Sequence, residues 1–325
     1  MKKKHFLLFA CLVLAGIFLW KNFSNPKVSK EIIGEKQRMQ KIINDRGPQQ
    51  AYVLLKDEYA NRPGLAHTVT HLFGQLIYEK VGMKAILICD NSFGYACYHG
   101  VYIAAIAQKG ERILNELDSI CNTGEANKDL NCPHGIGHGI LEYKGHSKLI
   151  EALDTCDLLS NVKNRFGCEN GVFMEYNFPA LENNDGIKNV LRREYDAQKP
   201  LSPCDSIPQK YTKVCYFSIS QYLRAVFNYD YLVIGKICSG IAESESRKAC
   251  YIGIGNNLPF DDNNESGAII ASCEKMPTKE GISHCLMGAS WASSSSQLSK
   301  ELCNEFRRVT LSQCSSNFGQ FLLEK

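Results

Sequence analysis

Short apolar runs with helical spacing recur along most of this chain, and many of them end at a cysteine. Ile113, Leu114, Leu117 and Ile120 precede Cys121, and Leu149, Ile150 and Leu153 precede Cys156. Apolar residues at i, i+3, i+4 and i+7 mark one face of an amphipathic helix. A polar stretch follows, such as Asn122 to Asn131 or Ala242 to Arg247, and then a second helical stretch carrying another cysteine. The pattern predicts helical hairpins. Helix A ends near the first cysteine, a polar loop follows, and helix B carries the second cysteine in its first turn or so. Upstream, Pro48 to Asn61 and Leu65 to Val81 read as a cysteine-free hairpin, and Ser29 to Asp45 as a polar lead-in helix.

The cysteines turn this pattern into a repeat. Fourteen of the 15 fall into successive pairs: Cys89/Cys97, Cys121/Cys132, Cys156/Cys168, Cys204/Cys215, Cys238/Cys250, Cys273/Cys285 and Cys303/Cys314. Six of the second cysteines stand at 97, 132, 168, 215, 250 and 285, a period of 35 or 36 residues apart from one step of 47, which signals a repeat architecture. Paired cysteines signal a disulfide framework in an oxidising compartment, and adjacent pairing is the simplest of many connectivities. A bridge closing so short a loop contributes about 2–3 kcal/mol. Five units place glycine three residues after the second cysteine, at Gly100, Gly135, Gly171, Gly253 and Gly288, whereas Cys215 has Ser218 there and Cys314 has Asn317. Glycine inside a helix costs about 1 kcal/mol against alanine, so its recurrence points to close helix–helix approach.

The segment Phe73-Gly-Gln-Leu-Ile-Tyr-Glu-Lys-Val-Gly82 is similar to the LG-x-x-Y-x-x-G signature of Sel1-like repeats. With the repeat length, it makes residues 48 to 325 resemble the Sel1-like and tetratricopeptide class, especially its secreted members with one disulfide per hairpin. The resemblance implies an all-α, α/α superhelical repeat, right-handed, with a concave binding face. The cysteine spacing here is longer than in that class, and the histidines are an addition.

The ends and the charge bound the setting. Lys2, Lys3 and Lys4 precede an uncharged apolar run from Phe6 to Trp20, the form of an export signal that leaves the lysines in the cytoplasm. Cys11, the unpaired cysteine, lies in this run. No small-x-small cleavage site follows Trp20, which favours an uncleaved membrane anchor, although the run is shorter than the ~20 residues of a spanning helix. The reading divides the chain into a signal-anchor and linker (1–28), a lead-in helix (29–47), N-terminal repeats (48–176), an insertion (177–203) and C-terminal repeats (204–325). The net charge of +3, with no basic block, excludes a nucleic-acid partner. Membrane contact is expected through the N-terminal helix only.

Five of the eight histidines fall in the first three units. His67/His71 and His134/His138 are i,i+4 pairs, and His99 stands two residues after Cys97. Aligning the units puts His67, His99 and His134 at one repeat position and His71 and His138 at another. Paired imidazoles one turn apart face the same way and can share a metal, and equivalent positions on adjacent hairpins lie side by side. Glu79 and Glu142 could add a carboxylate. An imidazole-rich set suits zinc, copper, iron or nickel rather than calcium or magnesium. The same pattern also fits duplicated packing, since a neutral imidazole near a helix start serves either role. His146 and His284 read as lone packing or surface residues.

Other chemistry is mostly excluded. Neither HxxxH string carries the glutamate of a zincin, and Cys97-Tyr-His99 and Cys132-Pro-His134 lack the CxxCH of haem attachment. A disulfide-bonded cysteine offers no thiolate. Phe260 to Ser266 reads as a solvated acidic loop without EF-hand spacing. No catalytic residue or reaction is assigned. Two functions remain open: a scaffold binding a protein, peptide or glycan partner on its concave face, and a transition-metal protein or metalloenzyme holding zinc, copper or iron at the five histidines.

Overall fold

Most first cysteines are followed by a short polar stretch that leads into the next long helix, and the fold is built from successive packed helices. In a computed structural model of the chain, described over residues 26–123, 130–177, 195–293 and 295–310, helices carry almost all regular structure and no strand forms among the described residues. The candidate anchor, Cys11, most of the insertion and Cys314 lie outside them. Among the described residues no helix is long and apolar enough to cross a membrane.

The chain divides into two compact units after Leu54. The first unit holds α1 (Pro26–Arg46), the expected lead-in helix, and the start of α2 (Pro48–Tyr59). Met39, Ile43 and Ala51 are buried within it.

The second unit contains the repeats. Its long helices are α3 (Pro63–Val81), α4 (Ser92–Lys109), α6 (Asn131–Lys144), α8 (Val162–Asn177), α9 (Thr212–Val226), α11 (Ser244–Asp261) and α13 (Lys279–Ala292). Each packs on the next, in chain order. Between them stand the short helices α5 (Leu114–Cys121), α7 (Leu149–Cys156), α10 (Tyr231–Ser239) and α12 (Ser266–Cys273), each packed on the long helix that follows it. A final helix, α14 (Ser296–Thr310), packs on α13.

Six disulfides join described cysteines in the adjacent pairing: Cys89–Cys97, Cys121–Cys132, Cys156–Cys168, Cys204–Cys215, Cys238–Cys250 and Cys273–Cys285, with Cα–Cα distances from 5.4 to 5.8 Å. This many bridges indicates an oxidising, extracytoplasmic environment. The second cysteine sits deeper in its helix than expected in several units: Cys168 in α8, Cys250 in α11 and Cys285 in α13 each have six helical residues before them. The cause is capping. The Glu243 carboxylate accepts from the backbone N–H groups of Glu245 and Ser246, so most of the polar stretch 242–247 is the first turn of α11 rather than loop. Thr278 does the same for α13, its hydroxyl accepting from Gly281 N–H at 3.0 Å.

The Cys204/Cys215 unit corrects the expected hairpin in a different way. Cys215 lies in the first turn of α9, as the pattern predicts, but Cys204 stands among turns and no helix A ends at it. Prolines at 200, 203 and 208 crowd this stretch, and proline interrupts a helix by removing an N–H donor and clashing with the preceding turn. The bridge therefore ties Cys215 to a turn segment instead of a second helix. Ser218, at the glycine position of this unit, accepts from Asn170 Nδ2 at 2.7 Å and donates to the Val214 carbonyl at 2.8 Å. A polar contact thus joins α8 to α9 where glycine lets other pairs touch.

The recurrent glycines mark the crossings elsewhere. A Cβ on Gly100 would run into the backbone oxygen of His71, and one on Gly171 into that of His134. Gly74 and Gly137 reciprocate, facing the carbonyl oxygens of Cys97 and Cys168. The backbones of α3 and α4, and of α6 and α8, therefore touch, and any side chain at these positions would part them.

Candidate metal centre

These crossings bring the histidines together. His67 and His71 project from α3, His99 from α4, and His134 and His138 from α6. His71, His99, His134 and His138 are each at most 7% exposed. Ring centroids lie 4.7 Å apart for His67/His71, 5.2 Å for His71/His99, 5.5 Å for His99/His134, 5.4 Å for His99/His138 and 4.8 Å for His134/His138. His99 is central, touching all four of the others, including His67 at 6.1 Å. All five histidines singled out by repeat alignment thus form one contiguous cluster.

Within each i,i+4 pair the Nε2 atoms converge. His67 and His71 Nε2 are 3.1 Å apart, as are His134 and His138 Nε2. The outer nitrogens are anchored. His67 Nδ1 lies 2.7 Å from the backbone oxygen of Phe93, and His138 Nδ1 lies 2.9 Å from Glu175 Oε2. A carbonyl oxygen only accepts, so His67 carries its proton on Nδ1 and leaves Nε2 with a lone pair. A hydrogen bond donated by His138 Nδ1–H to the Glu175 carboxylate leaves its Nε2 in the same state. This is how metal-ligating imidazoles are held: one nitrogen fixed by a carboxylate or carbonyl, the other bare.

The electrostatics keep four of the rings neutral. Burial pushes the His67 imidazole down to about 4, against the opposing pull of the Phe93 carbonyl. Burial, then repulsion from neighbouring imidazoles, pushes His71 and His99 well below the ordinary 6.5. His134 is lowered for the same reasons, partly offset by its hydrogen bond with Asn170. These four are uncharged at neutral pH, the form that ligates metal.

Hydrogen bonding within the cluster leaves donors over. One proton can bridge each Nε2 pair. His71 Nδ1 and both ring nitrogens of His99 are buried with no hydrogen-bond partner, and each such group costs about 1–3 kcal/mol if left unsatisfied. One nitrogen each from His67, His71 and His99 lie within 4.8 Å of one another. Two imidazoles on one tetrahedral zinc would have their nitrogens about 3.3 Å apart, close to the 3.1 Å of both pairs. The donor set therefore fits a transition ion.

Helix α8 adds what sequence reasoning missed. Met174 Sδ lies 3.2 Å from His134 Nε2, and Glu175 is 1% exposed. The signal was in the repeat: counted from the second cysteine, Asn170 occupies the position of His99 and His134, and Met174 that of His138. A thioether beside imidazoles is a soft donor, suited to cuprous copper.

The remaining residues separate. Glu142, His146 and Glu175 form a second group whose ligand atoms lie within 4.8 Å of one another, so His146 is not isolated. Glu79 is exposed and belongs to neither group. His284 Nδ1 contacts the Glu280 backbone oxygen at 2.8 Å, one turn back on its own helix. Asp261, in the acidic stretch 260–266, pairs with Arg224 and Tyr231. Cys97, Cys132, Cys168 and Cys215 are disulfide-bonded and carry no thiolate, so they belong to the framework and not to the ligand set. No family model, no curated protein and no solved structure matches this chain.

Proposed function

We propose that this chain is a transition-metal-binding protein of an oxidising compartment, its ion held by His67, His71, His99, His134 and His138. The observation that carries this reading is His99: a buried, neutral imidazole with both nitrogens unpartnered, set between two histidine pairs whose Nε2 atoms are 3.1 Å apart. A packing role would leave those nitrogens without compensation. Zinc, copper and iron all suit imidazole, and Met174 tilts the His134/His138 end towards copper.

The long helices stacked in chain order support an α/α superhelical repeat of the Sel1-like kind. The apolar run Phe6 to Trp20 and the disulfides support export with an N-terminal tether. A scaffold with a partner on its concave face is the second reading, favoured by that ordered stack. Competition titration of the oxidised chain against a chromophoric chelator, with Zn2+ and with Cu+, separates the two. Binding that weakens about tenfold or more in His99→Ala supports the metal reading; wild-type protein that competes for neither ion contradicts it.

A further inference from the structure

A second set of donors gathers on the outer side of Glu175. Glu142 is exposed near the end of α6. Gly145, at φ 91°, ends that helix and accepts no side chain without strain. The turn passes directly into a short 3₁₀ segment, His146–Lys148, which brings His146 back beside the helix pair. His146 Nε2 then lies 3.8 Å from Glu175 Oε1, while the other oxygen of the same carboxylate, Oε2, holds His138 at 2.9 Å. The group is graded from outside to inside: Glu142 is exposed, the His146 side chain is 28% exposed and that of Glu175 1%.

We infer that Glu142, His146 and Glu175 form a second divalent-metal site, distinct from the histidine cluster and joined to it through Glu175. The donor chemistry differs from the interior. Two carboxylates and one imidazole make a harder set, suited to Mn2+ or Zn2+, whereas imidazoles and a thioether suit Zn2+ or copper. A carboxylate this buried is stabilised by a bound cation. The two sites are also coupled. A cation on Oε1 draws charge from the carboxylate and weakens its hold on His138 Nδ1–H, so each occupied site alters the other's affinity by the same factor. Only this coupling rests on the proposed function; the outer site stands on its own three residues.

Mn2+ is the discriminating probe, because the softer interior of imidazoles and a thioether is a poor host for it. Electron paramagnetic resonance of free Mn2+ during titration of the full oxidised chain reads the outer site alone. One equivalent is expected to bind, with affinity reduced about tenfold or more in Glu142→Gln, an exposed change, and in His146→Ala, a half-buried one, the folding of both verified by circular-dichroism melts. His71→Ala/His99→Ala is expected to leave Mn2+ binding in place while abolishing the response to Cu+. Wild-type protein that binds no Mn2+, or Mn2+ binding that both of these variants leave unchanged, overturns the outer site. Unchanged Cu+ binding in His71→Ala/His99→Ala instead overturns the interior reading and leaves the outer site standing.

Discussion

The backbone oxygen of Phe93 lies 2.7 Å from Nδ1 of His67, and the chain adopts a costly conformation to put it there. Phe93, Gly94 and Tyr95 all have positive φ, at 52°, 67° and 63°, at the start of α4. A non-glycine residue in the left-handed region costs about 1–2 kcal/mol, and such strain persists where the surroundings over-determine it, often at functional sites. Here it fixes the tautomer of one candidate ligand.

Replacing Gly94 tests that coupling. A Cβ on Gly94 would meet His67 Nδ1 at 3.6 Å, an ordinary contact, so the cost is in the φ of +67°. Gly94→Ala is expected to lower stability by about 1 kcal/mol and to weaken metal binding by shifting the Phe93 carbonyl. Chemical denaturation and competition titration read the two effects. Unchanged affinity would mean the carbonyl has no part in orienting His67.

The helix crossings make a sharper demand. A Cβ on Gly171 would strike the His134 carbonyl oxygen, forcing α6 and α8 apart. Gly171→Ala is expected to cost roughly 1–3 kcal/mol by overpacking and to disturb the cluster, whereas the same change at exposed Gly267, which meets nothing within 4 Å, is expected to be nearly silent. Thermal melts of both variants check this. Equal effects would contradict the close-approach account.

Glu175→Gln keeps the shape of the partner to His138 and removes its charge. Loss of a carboxylate behind a ligating imidazole costs 10–100-fold in metal affinity. A fall of about that size, with the melting curve retained, is expected in a cuprous-copper competition assay, which does not load the harder Glu142/His146/Glu175 set. No change would place His138 outside the ligand set.

Much of this was legible in the chain, for one reason. The cysteine period gives His99 and His134 one repeat position, and the shared HxxxH string carries that position to His67 in the cysteine-free hairpin, so their juxtaposition follows from stacking. Glu175 and Met174 were harder to see because α8 carries no histidine and its partner atoms lie on another helix. His146 looked solitary because the turn at Gly145 is no part of the repeat and alone returns it to Glu175. Cys250 lies deeper in its helix than its spacing suggests, since Glu243 caps a turn that composition marks as loop. Cys204 and Cys215 keep the pair separation of 11 residues while their unit lacks the first helix, so pair spacing alone overstated the regularity there.

Buried Glu169 offers a pH test away from the candidate ligands. Burial, reinforced by the negative charge of Asp157, raises its carboxyl from 4.5 to about 8. The folded chain therefore holds a proton there that the unfolded chain releases near 4.5. Folding takes up that proton between these values, so stability falls as pH rises from about 4.5 to 8. Glu169→Gln removes the titration. The variant is expected to outlast wild type increasingly across that window, by roughly 2–4 kcal/mol at the alkaline end. Urea denaturation at pH 5 and pH 8 measures it; a variant less stable at pH 8 would contradict the assignment.

The central claim is that five clustered histidines hold an ion. The most direct measurement is metal content by mass spectrometry of the disulfide-bonded chain, prepared without chelators or a histidine tag. The account expects about one equivalent or more of zinc, copper or iron, lost when His71 and His99 are replaced by alanine. Metal-free protein that melts cooperatively, and is destabilised by the same substitutions, would return these histidines to packing.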